Sequence, residues 1–249
     1  MIRKSHKNKI GIIVQCRTKS SRLKNKLLLK INGYCVIEIL LMRLKKIKNA
    51  DIICAIAKEK NNQNLKKIIK KNDVNFFEGS ELNVLKRYYD VSKQNKFRTI
   101  IRVTSDCPLI DPLLIENGIK LFNKKKVDYL SNNLKQTWPQ GLDFEIFSFK
   151  TLEKCFNSVK KNSEKEHVTE FIRSNSKFKK FNYKNSIKLK KYFRWTIDTK
   201  LDYQFFVKLF KKKPNLINDF SWINLYKYLN KNYKIQSINE SSNHFYFKN

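Results

Sequence analysis

The sequence predicts an α/β fold, a mostly parallel sheet with helices on both faces. Short apolar runs rich in β-branched residues alternate with segments of helical period in units of about 20 to 30 residues. The composition is globular, with 41% hydrophobic and 13% aromatic residues. A chain of 249 residues is also long enough to bury a large core.

The elements follow in order. Residues 9–15 form a short apolar run of strand type, followed by a basic loop. A helix is expected over about 35–48, with Val36, Leu40, Leu44 and Ile47 on one face. Residues 51–57 read as a second strand, 61–71 as a polar helix, 74–77 as a third strand and 81–94 as a helix. A fourth strand, 98–103, is ended by Pro108 and Pro112, after which 113–123 is helical. This βαβα alternation is what calls for parallel strands under two layers of helices. In the second half, 127–131 and 142–149 look like strands separated by the turn-rich 136–141. Residues 163–174 read as a helix opened by a capping box of Ser163 and Glu166. Residues 179–183 and 192–197 are strand-like, and 201–210 and 222–229 are terminal helices. No repeat and no Gly, Ser or Pro-rich linker divides the chain. It is therefore expected to be one domain over 1–249, with a core of about 9–212 and a C-terminal helical extension of about 213–249.

Composition narrows the function classes. The apolar stretch 36–42 is interrupted by Glu38 and falls well short of the roughly 20 residues of a membrane span. The apolar run 10–14 is too short for a signal-peptide core, so a cytoplasmic protein without membrane insertion is expected. The five cysteines are odd in number and widely spaced, with no Cys-x-x-Cys, which excludes a disulfide framework or zinc site and leaves buried free thiols. The formal charge of +33 invites a nucleic-acid reading. Yet only nine of the 54 basic residues are Arg, and they are spread through almost every segment. That is compositional drift rather than a patch, so no specific nucleic-acid partner is expected.

Three segments carry chemistry. The loop Arg17-Thr18-Lys19-Ser20-Ser21-Arg22-Leu23-Lys24-Asn25-Lys26 follows the first strand, where open parallel sheets bind ligands. Its five cations and several hydroxyls suit a polyphosphate, although it matches neither a Walker loop nor a dinucleotide turn. On spacing alone it is first of all a solvated basic loop of a lysine-rich chain. Asp106, within Arg102-Val103-Thr104-Ser105-Asp106-Cys107-Pro108-Leu109-Ile110-Asp111-Pro112, closes a strand and is a candidate magnesium ligand. Asp111 before Pro112 is expected to cap the next helix. Asp198, in Trp195-Thr196-Ile197-Asp198-Thr199, either shares an ion with Asp106 or N-caps the helix that follows.

These motifs resemble the sugar-activating cytidylyltransferases, the superfamily of the CMP-Kdo and CMP-sialic acid synthetases. The family loop Ala-Arg-x-x-Ser-x-Arg-Leu-Pro-x-Lys is matched by Arg17, Ser20, Arg22, Leu23 and Lys26. The branch named for spore-coat polysaccharide biosynthesis is most similar. Its Gly-Ser-x-x-Asp-Val-Leu-x-Arg-Tyr-Tyr is found at residues 79–89, and its Arg-x-Thr-Gly-Asp-Cys-Pro-Leu-Ile-Asp-Pro at 102–112 with Ser105 in place of Gly. Gly141-Leu142-Asp143, Glu166-His167-Val168-Thr169 and Ile197-Asp198-Thr199 complete the series in the family's order.

The resemblance implies a Rossmann-like nucleotidyltransferase fold like that of the GT-A glycosyltransferases. It implies that Arg17, Ser20, Arg22 and Lys26 grip the phosphates of CTP, that Asp106 and Asp198 hold Mg²⁺, and that Gly79 and Ser80 lie near the base or ribose. Asp143, Glu166 and His167 fall toward the sugar side, although a helical His beside a capping Glu is also explained structurally. Enzymes of this kind are often homodimers. Lys24-Asn25 stands where the family has Pro-Gly, so a less rigid loop is expected; Asn83 replaces an Asp and Lys200 a Pro. The implied reaction moves CMP from CTP to a sugar or sugar acid. A glycosyltransferase consuming a nucleotide sugar and a non-enzymatic anion binder are the rival readings.

Overall fold

The computed structural model describes residues 9–17, 20, 22–59 and 62–242; Thr18, Lys19 and Ser21 of the basic loop, and Asn61 at the start of the polar helix, lie outside them. Strand β1 (Ile10–Cys16) sends Ile12, Val14 and Cys16 to one face and Ile13 to the other, all fully buried. A strand covered on both sides has no polar face, and its sequence therefore reads as a continuous apolar run. After a 3₁₀ turn at Lys26–Leu28 comes a small hairpin of β2 (Lys30–Ile31) and β3 (Tyr34–Cys35). It turns at Asn32 and Gly33, both at positive φ (49° and 86°). Two-residue strands carry no period, so only the Asn-Gly pair announces this hairpin in the sequence.

Then follow α1 (Val36–Leu44), β4 (Ala50–Ala57), α2 (Gln63–Lys71), β5 (Asn75–Gly79), α3 (Val84–Gln94), β6 (Thr99–Thr104) and α4 (Pro112–Lys125), in the predicted order. Asp111 caps α4, its Oδ1 accepting from Leu113 N (2.8 Å) and Leu114 N (3.2 Å), with Pro112 in the first turn. The second half holds β7 (Tyr129–Ser131), β8 (Glu145–Ser148), α5 (Phe149–Ser158), α6 (Asn162–Glu166), α7 (Glu170–Ser174) and β9 (Lys180–Asn182). It ends with α8 (Lys200–Lys212), α9 (Trp222–Lys231) and α10 (Tyr233–Gln236).

The main sheet has the order β5-β4-β1-β6-β8-β7-β9. Its pairs are parallel except that β8 runs against both β6 and β7. Helices α1, α2, α4, α8 and α9 bury their apolar residues against one face, and α3, α5 and α7 against the other. The predicted mostly parallel sheet with two helical layers is therefore the observed one. Leu216, Leu225, Leu229 and Ile235 of the C-terminal segment join the same core as Ile12 of β1. All five cysteines are buried and free.

Three expectations are corrected. Residues 192–197 are not a strand. Apolar Phe193, Trp195 and Ile197 alternate with polar Arg194, Thr196 and Asp198, but Arg194 and Thr196 are buried as well, so the period of two lies in residue type and not in burial. Their backbone instead pairs with loops, Trp195 N donating to Gln140 O and Ile197 N to Asp106 O. Residues 163–174 are not one helix, because Val168 adopts φ 49° and breaks the run between α6 and α7. The Ser163–Glu166 capping box does not form; Lys161 stands at the N-cap, and Glu166 turns toward Arg17. Finally, the strand read over 142–149 is shorter. Ser148 ends it by capping α5, its Oγ accepting from Thr151 N (3.0 Å).

Candidate active site

From β1 the chain builds outward to β4 and β5, then returns to β6 on the other side of β1. The crevice at this reversal, beyond the carboxyl ends of β1 and β6, is where such sheets bind ligands. Asp106 stands there. The preceding Ser105 donates from Oγ to Gln15 O (2.7 Å), tying the end of β6 to β1. The Asp106 carbonyl accepts from Ile197 N (2.9 Å) and Thr196 Oγ1 (3.1 Å), so loop pairing brings Asp198 beside Asp106.

The alternative left open for Asp198 resolves at the start of α8. Thr199 is the N-cap, and Asp202 closes a capping box by accepting from Thr199 N (2.9 Å) and Asp198 N (3.0 Å). The side chain of Asp198 is thereby released to face the crevice. Asp202 is fully buried and holds Arg194 in a bidentate pair (2.8 and 2.9 Å), while Arg194 lies 3.6 Å from Asp198. The two loops meet closely at Gly141, whose φ is +98° and where a Cβ would collide with the Trp195 carbonyl.

Between the two carboxylates sits Lys26, only 7% exposed, its Nζ donating to Asp106 Oδ2 (2.8 Å) and Asp198 Oδ1 (2.7 Å). Asn25, in the left-handed region at φ 52°, makes the turn that delivers it. Burial pulls the Lys26 pKa down, but Asp106 and Asp198 more than offset this and leave it raised. Burial likewise pushes Asp106 up, and Lys26 overrides it, bringing the carboxyl down to about 2. Arg22 reaches Asp198 at 3.2 Å. Exposed Arg17 lies 3.8 Å from Glu166, and Ser20 is half-buried nearby in sequence.

Two further cavities draw on residues of β1 and β6, and neither is lined by Asp106, Asp198 or Lys26. A small one of about 140 Å³ lies at the ends of β1 and β4, walled by Gln15, Arg17, Ala57, Val84, Arg87 and Glu166. Gly79 and Ser80 are set behind this wall. Ser80 Oγ accepts from Asn83 N (2.9 Å) and shapes the turn that carries Glu81 and Leu82 into it. Asn83 itself caps α3, accepting from Lys86 N (2.8 Å). The larger cavity, about 510 Å³, is lined by Arg102, Glu145, His167, Thr169, Glu170 and Arg173. The neighbours Glu166 and His167 thus face different cavities. Asp143 is half-buried, accepts from Gly141 N (3.1 Å), and is pushed up to about 6 chiefly by burial. Sequence reasoning missed Glu145, which is 3% exposed and paired with Arg102 at 3.0 Å. A carboxylate inside the apolar run 142–149 was the available signal, since a buried charge demands a partner.

A family model described as Cytidylyltransferase matches residues 11–235. The chain belongs to the cytidylyltransferase family. It is accordingly an enzyme, a nucleotidyltransferase, and the resemblance read from its motifs holds. A solved structure of a cytidylyltransferase from Leptospira borgpetersenii is similar with a TM-score of 0.85 and 32% identity, covering 92% of this chain and 97% of that one. An uncharacterised protein of Methanocaldococcus jannaschii is 39% identical over 237 residues, 94% of this chain and 95% of the relative. The spore coat polysaccharide biosynthesis protein SpsF of Bacillus subtilis is 28% identical over 213 residues, 82% and 88% of the two chains. Among the described residues no helix is long and apolar enough to cross a membrane.

Proposed function

We propose that this cytidylyltransferase transfers CMP from CTP to a hydroxyl of a sugar or sugar acid in the cytoplasm, with Mg²⁺, for surface polysaccharide or glycan biosynthesis. The observation that carries the reading is the paired Asp106 and Asp198 at the switch point, bridged by Lys26 and bordered by Arg22. The donor set suits Mg²⁺. It offers hard carboxylate oxygens, and Asp106 is held ionised. Magnesium characteristically takes one or two carboxylates and completes its octahedron with phosphate oxygens and water. When bound, it would neutralise charge on the triphosphate and leaving pyrophosphate.

The chain's own residues do the rest. Arg17, Ser20, Arg22 and Lys26 would bind the phosphates, Lys26 exchanging its carboxylate partners for phosphate oxygens. The small cavity beyond Arg17 would receive the base or ribose. The acceptor hydroxyl attacks the α-phosphorus in line, the bond to the β-phosphate oxygen breaks, pyrophosphate leaves and the hydroxyl proton passes to solvent. Positioning and fixed positive charge supply most of such catalysis.

Calorimetry with CTP, UTP, ATP and GTP, each with and without Mg²⁺, checks the reading. Tightest binding of Mg-CTP is expected. Binding of a nucleotide diphosphosugar with no preference among triphosphates would instead favour a glycosyltransferase.

A further inference from the structure

Asp198 has two partners from the basic loop, Lys26 Nζ on Oδ1 (2.7 Å) and Arg22, 3.2 Å from Oδ2. In cytidylyl transfer both cations turn to phosphate, and Asp198 is then oriented by the buried network behind it. Resting on the reading of Asp106 and Asp198 as metal ligands, we propose that Asn239 of the C-terminal segment is a positioning residue for Asp198, acting through Asp202 and Arg194.

Asp202 gathers the network. Its Oδ2 accepts from Asp198 N (3.0 Å), Thr199 N (2.9 Å) and Arg194 NH2 (2.9 Å). Its Oδ1 accepts from Arg194 Nε (2.8 Å) and from Asn239 Nδ2 (2.9 Å). The same Asn239 nitrogen donates to the Arg194 carbonyl (3.0 Å). One amide thus ties the main chain before Asp198 to the carboxylate after it, closing the turn on which Asp198 stands. Arg194, 4% exposed, also donates from NH1 to Gln140 Oε1 (2.9 Å), which fixes its guanidinium 3.6 Å from the Asp198 carboxylate.

The chemistry of Asn239 suits this role better than packing does. The residue is fully buried, and its Oδ1 has no partner among the described residues. A buried acceptor without a partner is destabilising, so an apolar side chain would serve packing alone better. What the position uses is the nitrogen, which faces two oxygens that Oδ1 could not serve. The segment is docked on both sides of this contact. Ile235 joins the core, and Gln236 Nε2 donates to Tyr192 O (3.4 Å). The Lys191 ammonium lies 3.6 Å from the ring centre of Tyr233. Ser242 Oγ meets Thr199 Oγ1, at the N-cap of α8, at 3.1 Å.

Calorimetric titration of CTP into the full chain, in Mn²⁺ and in EDTA, separates metal-dependent binding from the rest. Asn239→Ala should weaken binding in Mn²⁺ about tenfold, the lower end for losing a partner behind a metal ligand, and leave binding in EDTA unchanged. Leu65→Ala, a cavity under α2 that does not touch this network, should keep both values at wild type. Ser242→Ala removes the Thr199 contact without emptying the core, and should weaken binding in Mn²⁺ by less. Wild-type affinity in Mn²⁺ for Asn239→Ala, or for Ser242→Ala should the former not fold, would overturn the assignment. So would an equal loss in EDTA, or the same loss in Leu65→Ala. An Asp198→Asn variant that binds Mn-CTP as the wild type does would instead remove the metal-ligand reading on which it rests.

Discussion

Replacing Lys26 by Met removes the cation from between two carboxylates without changing the length of the side chain greatly. Lys26 is 7% exposed, and its ammonium makes two short charge-assisted hydrogen bonds, at 2.8 and 2.7 Å. Stripping one partner from a buried pair costs about 3–5 kcal/mol. Arg22 at 3.2 Å and Arg194 at 3.6 Å remain beside Asp198, which places the expected loss near the lower end, about 3 kcal/mol. For a chain of this size that is a fall in Tm of about 6 to 12 °C. The variant also frees the space between Asp106 and Asp198. Mn²⁺ without nucleotide should therefore restabilise it, by about 2.7 kcal/mol at a hundredfold excess over Kd, and should stabilise the wild type less. Denaturant melts of both proteins, with and without Mn²⁺, read both effects. A variant as stable as the wild type and indifferent to Mn²⁺ would refute the view that Lys26 fills the centre of the site.

Three further outcomes are expected. Asp106→Ala should lower turnover by at least about a thousandfold, while circular dichroism stays native; retention of near wild-type activity with Mg²⁺ would contradict its role. Gly141→Ala should reduce Tm and soluble yield, since the left-handed backbone alone costs about 1–2 kcal/mol and the Cβ also meets the Trp195 carbonyl. Asp143 is raised from 3.8 to about 6, so the folded state binds the extra proton between these values. Its contribution is present below about pH 4 and is lost as pH rises through about 6. Tm against pH should fall across that window in the wild type relative to Asp143→Asn, and parallel curves would show that Asp143 is not raised.

Much of the site was legible because its parts sit at strand ends. Asp106 closes a strand of β-branched residues, and the basic loop follows β1, so their meeting follows from parallel topology alone. Asp198 was harder. The alternation of Phe193, Trp195 and Ile197 looks like a strand, but the segment satisfies its backbone through Gln140 and Asp106 across loops, which no local pattern encodes. Tertiary packing also overrode the Ser-x-x-Glu signal at Ser163, for Val168 in the left-handed region stops the helix and points His167 and Thr169 at a cavity. The Arg102–Glu145 pair stayed hidden because each residue reads as an irregularity in its own strand, and only the antiparallel register of β6 and β8 sets them side by side.

The central claim is transfer of the α-phosphoryl group, and isotope tracing tests it most directly. With CTP labelled at the α-phosphorus, the label should appear in the sugar product. With label at the γ-phosphorus, it should leave in pyrophosphate. Label from the γ-position in the sugar, or release of free CMP with no labelled acceptor, would contradict the account.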